Sequence, residues 1–178
     1  MRVVFGTAPR PPIDPGGTMI LIAYDGSPDA RAAVEDAGRL LPNEHAVVLV
    51  VWEPFAEVMA HTGAGMGLAP GIADFNEIDA ASEAAAKQRA EEGVELAGSV
   101  GLDAEPRVCA QGPTVWHAIV TRAREADARA IVMGTRGLTG IKSVFLGSVS
   151  HAVLQHSDRP VVVVPSPEAA AERAQALN

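Results

Sequence analysis

"MILIAYDGSPDARAAV", residues 19–34, is the stretch on which the reading of the whole chain turns. Met19 to Tyr24 is an apolar run of strand length, and Asp25-Gly26 breaks it. Ser27 suits an N-cap, Pro28 the first helical position, and Asp29 the first turn, where a negative charge meets the helix dipole. Ala30, Ala33, Val34, Ala37, Leu40 and Leu41 then recur at helical spacing until "PNEH" (42–45) closes the helix. A strand that runs through a tight turn into a helix is the opening unit of an alternating α/β chain.

The alternation continues. "AVVLVVW" (46–52) is apolar throughout, as expected of a strand covered on both faces. A loop from Glu53 to about Gly71 carries "HTGAGMGLAPG", and an Ala- and Glu-rich helix runs from about Asp74 to Val100. "AEPRVCA" (104–110) reads as a third strand, Gly112-Pro113 as the opening of a helix through Ala126, and "ARAIVMG" (128–134) as a fourth strand. A glycine loop leads to a short helix from Gly147 to about His156, and "RPVVVVP" (159–165) is the fifth strand. The expected fold is therefore α/β: a five-stranded parallel open sheet with helices on both faces, Rossmann-like, joined by right-handed crossovers. In such sheets ligands bind outside the carboxyl ends of the strands, where the strand order reverses. One domain is expected over 19–167, a Pro/Gly-rich leader over 1–18 and a flexible or helical tail over 168–178.

Composition narrows the function. Of the 178 residues, 48% are apolar, and the formal net charge of −8 offers no basic face to displace counterions from nucleic acid. No apolar run approaches the roughly 18 residues of a membrane span. Cys109 is the sole cysteine, which excludes an intrachain disulfide and fits a reducing cytoplasm. No His pair has metal-binding spacing, so no resident metal site is expected.

The chemistry gathers in "VMGTRGLTGIKSVFLGSVSHAVL", residues 132–154. Gly134 to Gly137 stand where the fourth strand leaves the sheet, and Gly147-Ser148 open a helix whose free amides suit phosphate. Glycine permits close backbone approach, and the hydroxyls of Ser148 and Ser150 add donors. Arg136 and Lys142 lie in the same loop, where a cation neutralises phosphate, although for Lys142 a solvated loop charge is the favoured reading. Ile141 separates Gly140 from Lys142, so the segment is not a P-loop, and "GAGMG" (63–67) lacks the third glycine of a dinucleotide fingerprint.

The spacing Gly-x2-Gly-x9-Gly-Ser at Gly134, Gly137, Gly147 and Ser148 resembles the nucleotide-binding signature of the universal stress protein family, in its ATP-binding branch. "ILIAYDGS", "VVLVVWEP" and "RPVVVVP" resemble that family's first, second and last strands, so the likeness covers about residues 19–167. The resemblance implies an adenine nucleotide alpha hydrolase-like sheet that binds ATP, or AMP or ADP, with Mg²⁺ as a companion of the phosphates. It implies that Asp25 contacts the nucleoside, that the Val51 main chain meets adenine, and that Ala23 and Met133 flank the base. Gly134, Gly137, Gly147, Ser148, Val149 and Ser150 would surround the phosphates, with Arg136 beside them. The last strand, Val161, Val162, Val163 and Val164, would pair across a homodimer axis. Val50 stands where many members have His, and Ala23 where some have Pro; neither touches the glycine signature.

The implied role is a cytoplasmic stress-response regulator read out by nucleotide occupancy, with at most slow ATP hydrolysis. A family member that acts by dimerisation and protein contact without nucleotide is the main alternative. A nucleotidyl- or phosphoryl-transfer enzyme on the same fold is another, but the chain has neither a His-x-Gly-His motif nor a Ser-Gly-Gly loop. A phosphoacceptor receiver domain needs an Asp after the third strand, where this chain has "VCAQG".

Overall fold

A computed structural model describes residues 19–55, 75–137 and 146–175. The expected leader (1–18), most of the loop after the second strand, Gly140, Lys142 and the last three residues lie outside the described residues.

Five strands form one sheet: β1 (Met19–Ala23), β2 (His45–Trp52), β3 (Asp103–Ala110), β4 (Ala130–Gly134) and β5 (Val161–Val164). Their order is β3-β2-β1-β4-β5, and every neighbouring pair is parallel. The chain builds outward from β1 through β2 to β3, then returns to the other side of β1 for β4. That reversal opens a crevice between the carboxyl ends of β1 and β4, where the sequence places the ligand edge.

The helices are α1 (Pro28–Leu40), α2 (Phe75–Ser99), α3 (Val115–Glu125), α4 (Ser148–His156) and α5 (Pro167–Gln175). Strand alternation divides the core into two layers. Ile20, Ile22, Tyr24, Val48, Val50 and Val132 face α1 and α2. Leu21, Leu49, Ile131 and Met133 face the opposite way, onto Ile119 and Ala123 of α3 and Val153 of α4. Each central strand is thus buried on both sides, which is why β2 shows no polar alternation.

Local chemistry sets the helix ends. The Ser27 hydroxyl accepts from the Ala30 amide at 3.1 Å, and Pro28 begins α1 as the sequence indicates. Asn43 adopts a left-handed φ of 66° after α1, turning the chain toward β2. The third helix begins later than Gly112-Pro113 suggests. Thr114 is its cap, in extended conformation, and its hydroxyl accepts from the His117 amide at 3.3 Å. Trp116 does pack, by stacking on the His156 ring at 4.5 Å and joining α3 to α4.

Two glycines of α2 face different surroundings. A Cβ on Gly93 would stand 2.7 Å from the Val48 side chain and 3.0 Å from the Tyr24 ring, so this glycine seats the helix on the sheet. Nothing lies within 4 Å of a Cβ on Gly98. Gly98→Ala is expected to raise stability by about 0.5 kcal/mol through the lost freedom of the unfolded chain. Gly93→Ala should instead lose about 1–2 kcal/mol, overpacking outweighing the gain in helix propensity. Urea unfolding of the two variants beside the parent protein checks both signs.

Candidate functional site

A cavity of about 200 Å³ opens at the β1/β4 crevice. All eleven residues singled out in the sequence line it: Ala23, Asp25, Val51, Met133, Gly134, Arg136, Gly137, Gly147, Ser148, Val149 and Ser150.

One end of the cavity is apolar. Ala23 lies in register with Met133 on one side and Leu49 on the other, so three adjacent strands supply a flat floor. Val51 continues that floor along β2, and Val115 and Ile119, one turn apart on α3, wall it. Tyr24 also lines the cavity, but its hydroxyl donates to Glu92 at 3.1 Å. Burial, joined by the Glu92 carboxylate, pushes that phenol up to about 12, so it stays protonated. Val115 and Val149 border a second cavity of about 330 Å³ along Glu53, Gln111 and Trp116. The Gln111 side-chain oxygen is buried without a hydrogen-bond partner among the described residues.

The other end is polar and mostly backbone. The Asp25 carboxylate accepts from the Ser27 amide at 2.9 Å, and Gly26 turns beneath it with φ of 81°. A Cβ on Gly137 would come within 2.8 Å of the Asp25 Oδ2, so Gly137 leaves that carboxylate room at the mouth of the crevice. Opposite stands the start of α4, whose cap residue Gly147 has no side chain to satisfy the first turn. The amides of that turn are therefore presented without a side-chain cap, the arrangement that attracts an anion.

Three of these residues have further structural parts. Ser148 is the first helical residue and is exposed, while Gly147 is the cap. Ser150 is buried, and its hydroxyl donates to the Thr135 carbonyl at 2.8 Å, with the Gly147 carbonyl at 3.0 Å. Through these main-chain contacts the Ser150 hydroxyl positions the loop. The Gly147 amide also donates to the Thr135 carbonyl, at 2.7 Å, and the two bonds pin the start of α4 to the exit of β4. Gly134 serves packing first. A Cβ there would fall 2.7–2.8 Å from backbone atoms of Asp29 and Ala30, so the bare Cα lets α1 close on β4.

Arg136 and Asp29 belong together. Asp29, only 4% exposed, accepts from the Thr135 hydroxyl and, at 3.1 Å, from the Arg136 amide. The Arg136 Nε lies 3.5 Å from the same carboxylate, and its NH1 lies 3.7 Å from Glu172 on α5. Burial alone would raise the Asp29 pKa. Hydrogen bonds from Thr135 and Ser166, together with the Arg136 charge, outweigh it and hold the carboxyl below the usual carboxylate range. The sequence offered Asp29 only as a first-turn acid. Its burial under a loop more than a hundred residues away has no local signal. Leu49 and Ile119 were within reach of pattern reasoning, since Leu49 alternates with Val51 and Ile119 lies four residues beyond Val115.

Comparison with known proteins fits this geometry. Residues 18–165 match the model of the universal stress protein family. The chain belongs to that family. It is 34% identical over 146 residues to the universal stress protein YxiE of Bacillus subtilis, covering 82% of this chain and 97% of that protein. Among solved universal stress proteins, one from Archaeoglobus fulgidus in complex with dAMP superimposes with a TM-score of 0.52 at 22% identity, covering 82% of this chain and 95% of the other. Another, in complex with cAMP, gives 0.55 at 24% identity over 84% of this chain and 97% of the other. At these identities the two structures establish the shared fold of the family. Among the described residues, no helix is long and apolar enough to cross a membrane.

The Asp29 cluster gives this member of the family a defined acid limit. A carboxyl whose folded pKa is depressed contributes stability above its unfolded pKa, near 3.8, and loses it as pH falls through the folded value. Asp29→Asn is expected to cost about 1.5–3 kcal/mol at pH 7, as for hydrogen bonds to a buried charged group. The cost should shrink below about pH 4, where Asp29 of the unfolded chain begins to protonate and the folded carboxyl follows at lower pH. Urea midpoints of both proteins between pH 3 and 7 test this; a gap that stays constant across that range would refute the ionised assignment.

Proposed function

We propose that this universal stress protein binds an adenine nucleotide in the β1/β4 crevice and works as a nucleotide-dependent regulator in the stress response. One observation carries the reading: the crevice joins a flat apolar floor to an uncapped helix N-terminus. Ala23, Met133, Leu49 and Val51 supply the floor for a planar base, and the first turn of α4 supplies amides for phosphate. The intervening carboxylate of Asp25 is an acceptor for ribose hydroxyls. That family members have been solved with dAMP and with cAMP supports the same ligand class. The ligand is ATP or one of its hydrolysed forms, AMP or ADP, and any turnover is slow. Mg²⁺ would accompany the phosphates, held by their oxygens and by water.

We further read the protein as a cytoplasmic homodimer. β5 is an edge strand, paired with β4 on one side only among the described residues, and Val161, Val162 and Val163 remain half-buried. An apolar edge of this kind is a pairing surface for a second copy. Light scattering of the purified protein at twice the monomer mass would support this assembly, and a monomer at all concentrations would refute it.

Asp25→Ala should weaken ATP binding by about tenfold to a hundredfold, the effect of losing charge-assisted hydrogen bonds to a ribose. Titration calorimetry reads it directly; parent-like affinity removes Asp25 from the site. Saturation of the parent with ATP at about 100 times its Kd should add roughly 2.7 kcal/mol of stability. Gly147→Val should abolish that gain. A Cβ at 147 already sits 3.2 Å from the Thr135 carbonyl, and the branched methyls occupy the approach to the helix amides. An undiminished ATP-dependent shift in that variant would contradict the phosphate cradle.

A further inference from the structure

The family match ends at residue 165, and the chain then adds α5 (Pro167–Gln175). Ser166 starts this helix: its hydroxyl accepts from the Ala169 amide at 3.3 Å, and it also hydrogen-bonds the buried Asp29. Ala169 is buried, so the helix is seated on the domain. Glu172, near the end of the helix, then reaches the guanidinium of Arg136. Arg136 is the one cation among the described residues that line the crevice.

The charges at this corner do not cancel. Arg136 lies between two carboxylates, Asp29 at 3.5 Å and Glu172 at 3.7 Å, so among the described residues these three groups together carry one net negative charge. Asp29 is fixed there by its hydrogen bonds and burial. The Glu172 side chain is 41% exposed and contributes to the site through its charge. A ligand that ends in phosphate meets a cation already shared by two acids, and each extra phosphate charge increases the repulsion.

We propose that Glu172 sets the phosphate-charge preference of the crevice: paired with Arg136, it favours nucleoside monophosphates over triphosphates. The proposal rests on the nucleotide reading above and names which member of that ligand class the site prefers. It makes α5, outside the matched family domain, part of the ligand specificity. Without Mg²⁺, ATP carries about two more negative charges than AMP at neutral pH, and a bound Mg²⁺ cancels about that difference. Across an effective dielectric between protein and water, removing one carboxylate charge that repels two added phosphate charges corresponds to about tenfold in relative affinity.

The test is titration calorimetry of the full chain, without Mg²⁺, with AMP and with ATP, for the parent, Glu172→Gln and Glu168→Gln. Glu168 is an exposed acid in the first turn of the same helix and controls for general charge. The ratio of ATP to AMP affinity should rise about tenfold in Glu172→Gln and less than twofold in Glu168→Gln. The difference should fall toward nothing in about 1 M salt, where screening acts within a few ångströms. A parent that binds nucleotide, with a ratio that Glu172→Gln leaves unchanged, overturns the role of Glu172 and spares the nucleotide reading. A parent that binds neither AMP nor ATP overturns both.

Discussion

The carboxylate of Asp29 is the constraint around which the ligand end of this protein is organised. It sits in the first turn of α1, where the helix dipole favours an anion, yet its bonds run to other segments. Thr135 and Arg136 bring in the exit of β4, and Ser166 brings in the segment after β5. A buried charge without partners costs several kcal/mol, so the acid forces each of these groups into place. Gly134 makes the meeting geometrically possible, because any side chain there would hold α1 away from β4.

From that fixed corner the rest of the site follows in order. With Thr135 held by Asp29, its carbonyl points where the Gly147 amide and the Ser150 hydroxyl both reach it. Those bonds place the N-terminus of α4 over the crevice. The amides of α4 are thereby held in one orientation by the protein's own hydrogen bonds. Several of the signature residues therefore act on the protein itself. Gly134 admits a helix, Gly137 clears a carboxylate, and Ser150 ties two backbones together.

The division of labour between the two core layers explains why such a site is tolerated. Ile20, Ile22, Val48 and Val132 on one face, and Leu21, Leu49 and Ile131 on the other, bury the central strands without polar groups. Burial of this extent supplies the stability against which a net-negative corner and an uncapped helix are set. The polar exceptions lie at the carboxyl ends of the strands, where every element of the site is found.

The sequence by itself determined the element order, the parallel sheet and the strand ends at which the crevice opens. Those features are written in short-range patterns: an apolar run of strand length, Ser-Pro at a helix start, the helical spacing of Ala30, Ala33, Val34 and Ala37. It also singled out eleven of the residues that line the crevice, because the glycine spacing and Asp25 lie at strand ends that the topology brings together. It placed the third helix at Gly112-Pro113, while the extended backbone of Thr114 puts the cap two residues on. What only the tertiary structure decided is the direction in which polar groups are spent. Ser150 and Ser148 are both serines in one turn, yet one is buried against a carbonyl and the other is exposed. Arg136 reads as a phosphate ligand until Asp29 and Glu172, 107 positions before it and 36 after, are seen to share its charge. Hydrogen bonds and ion pairs between such distant positions depend on how the layers pack, and no local pattern carries that information.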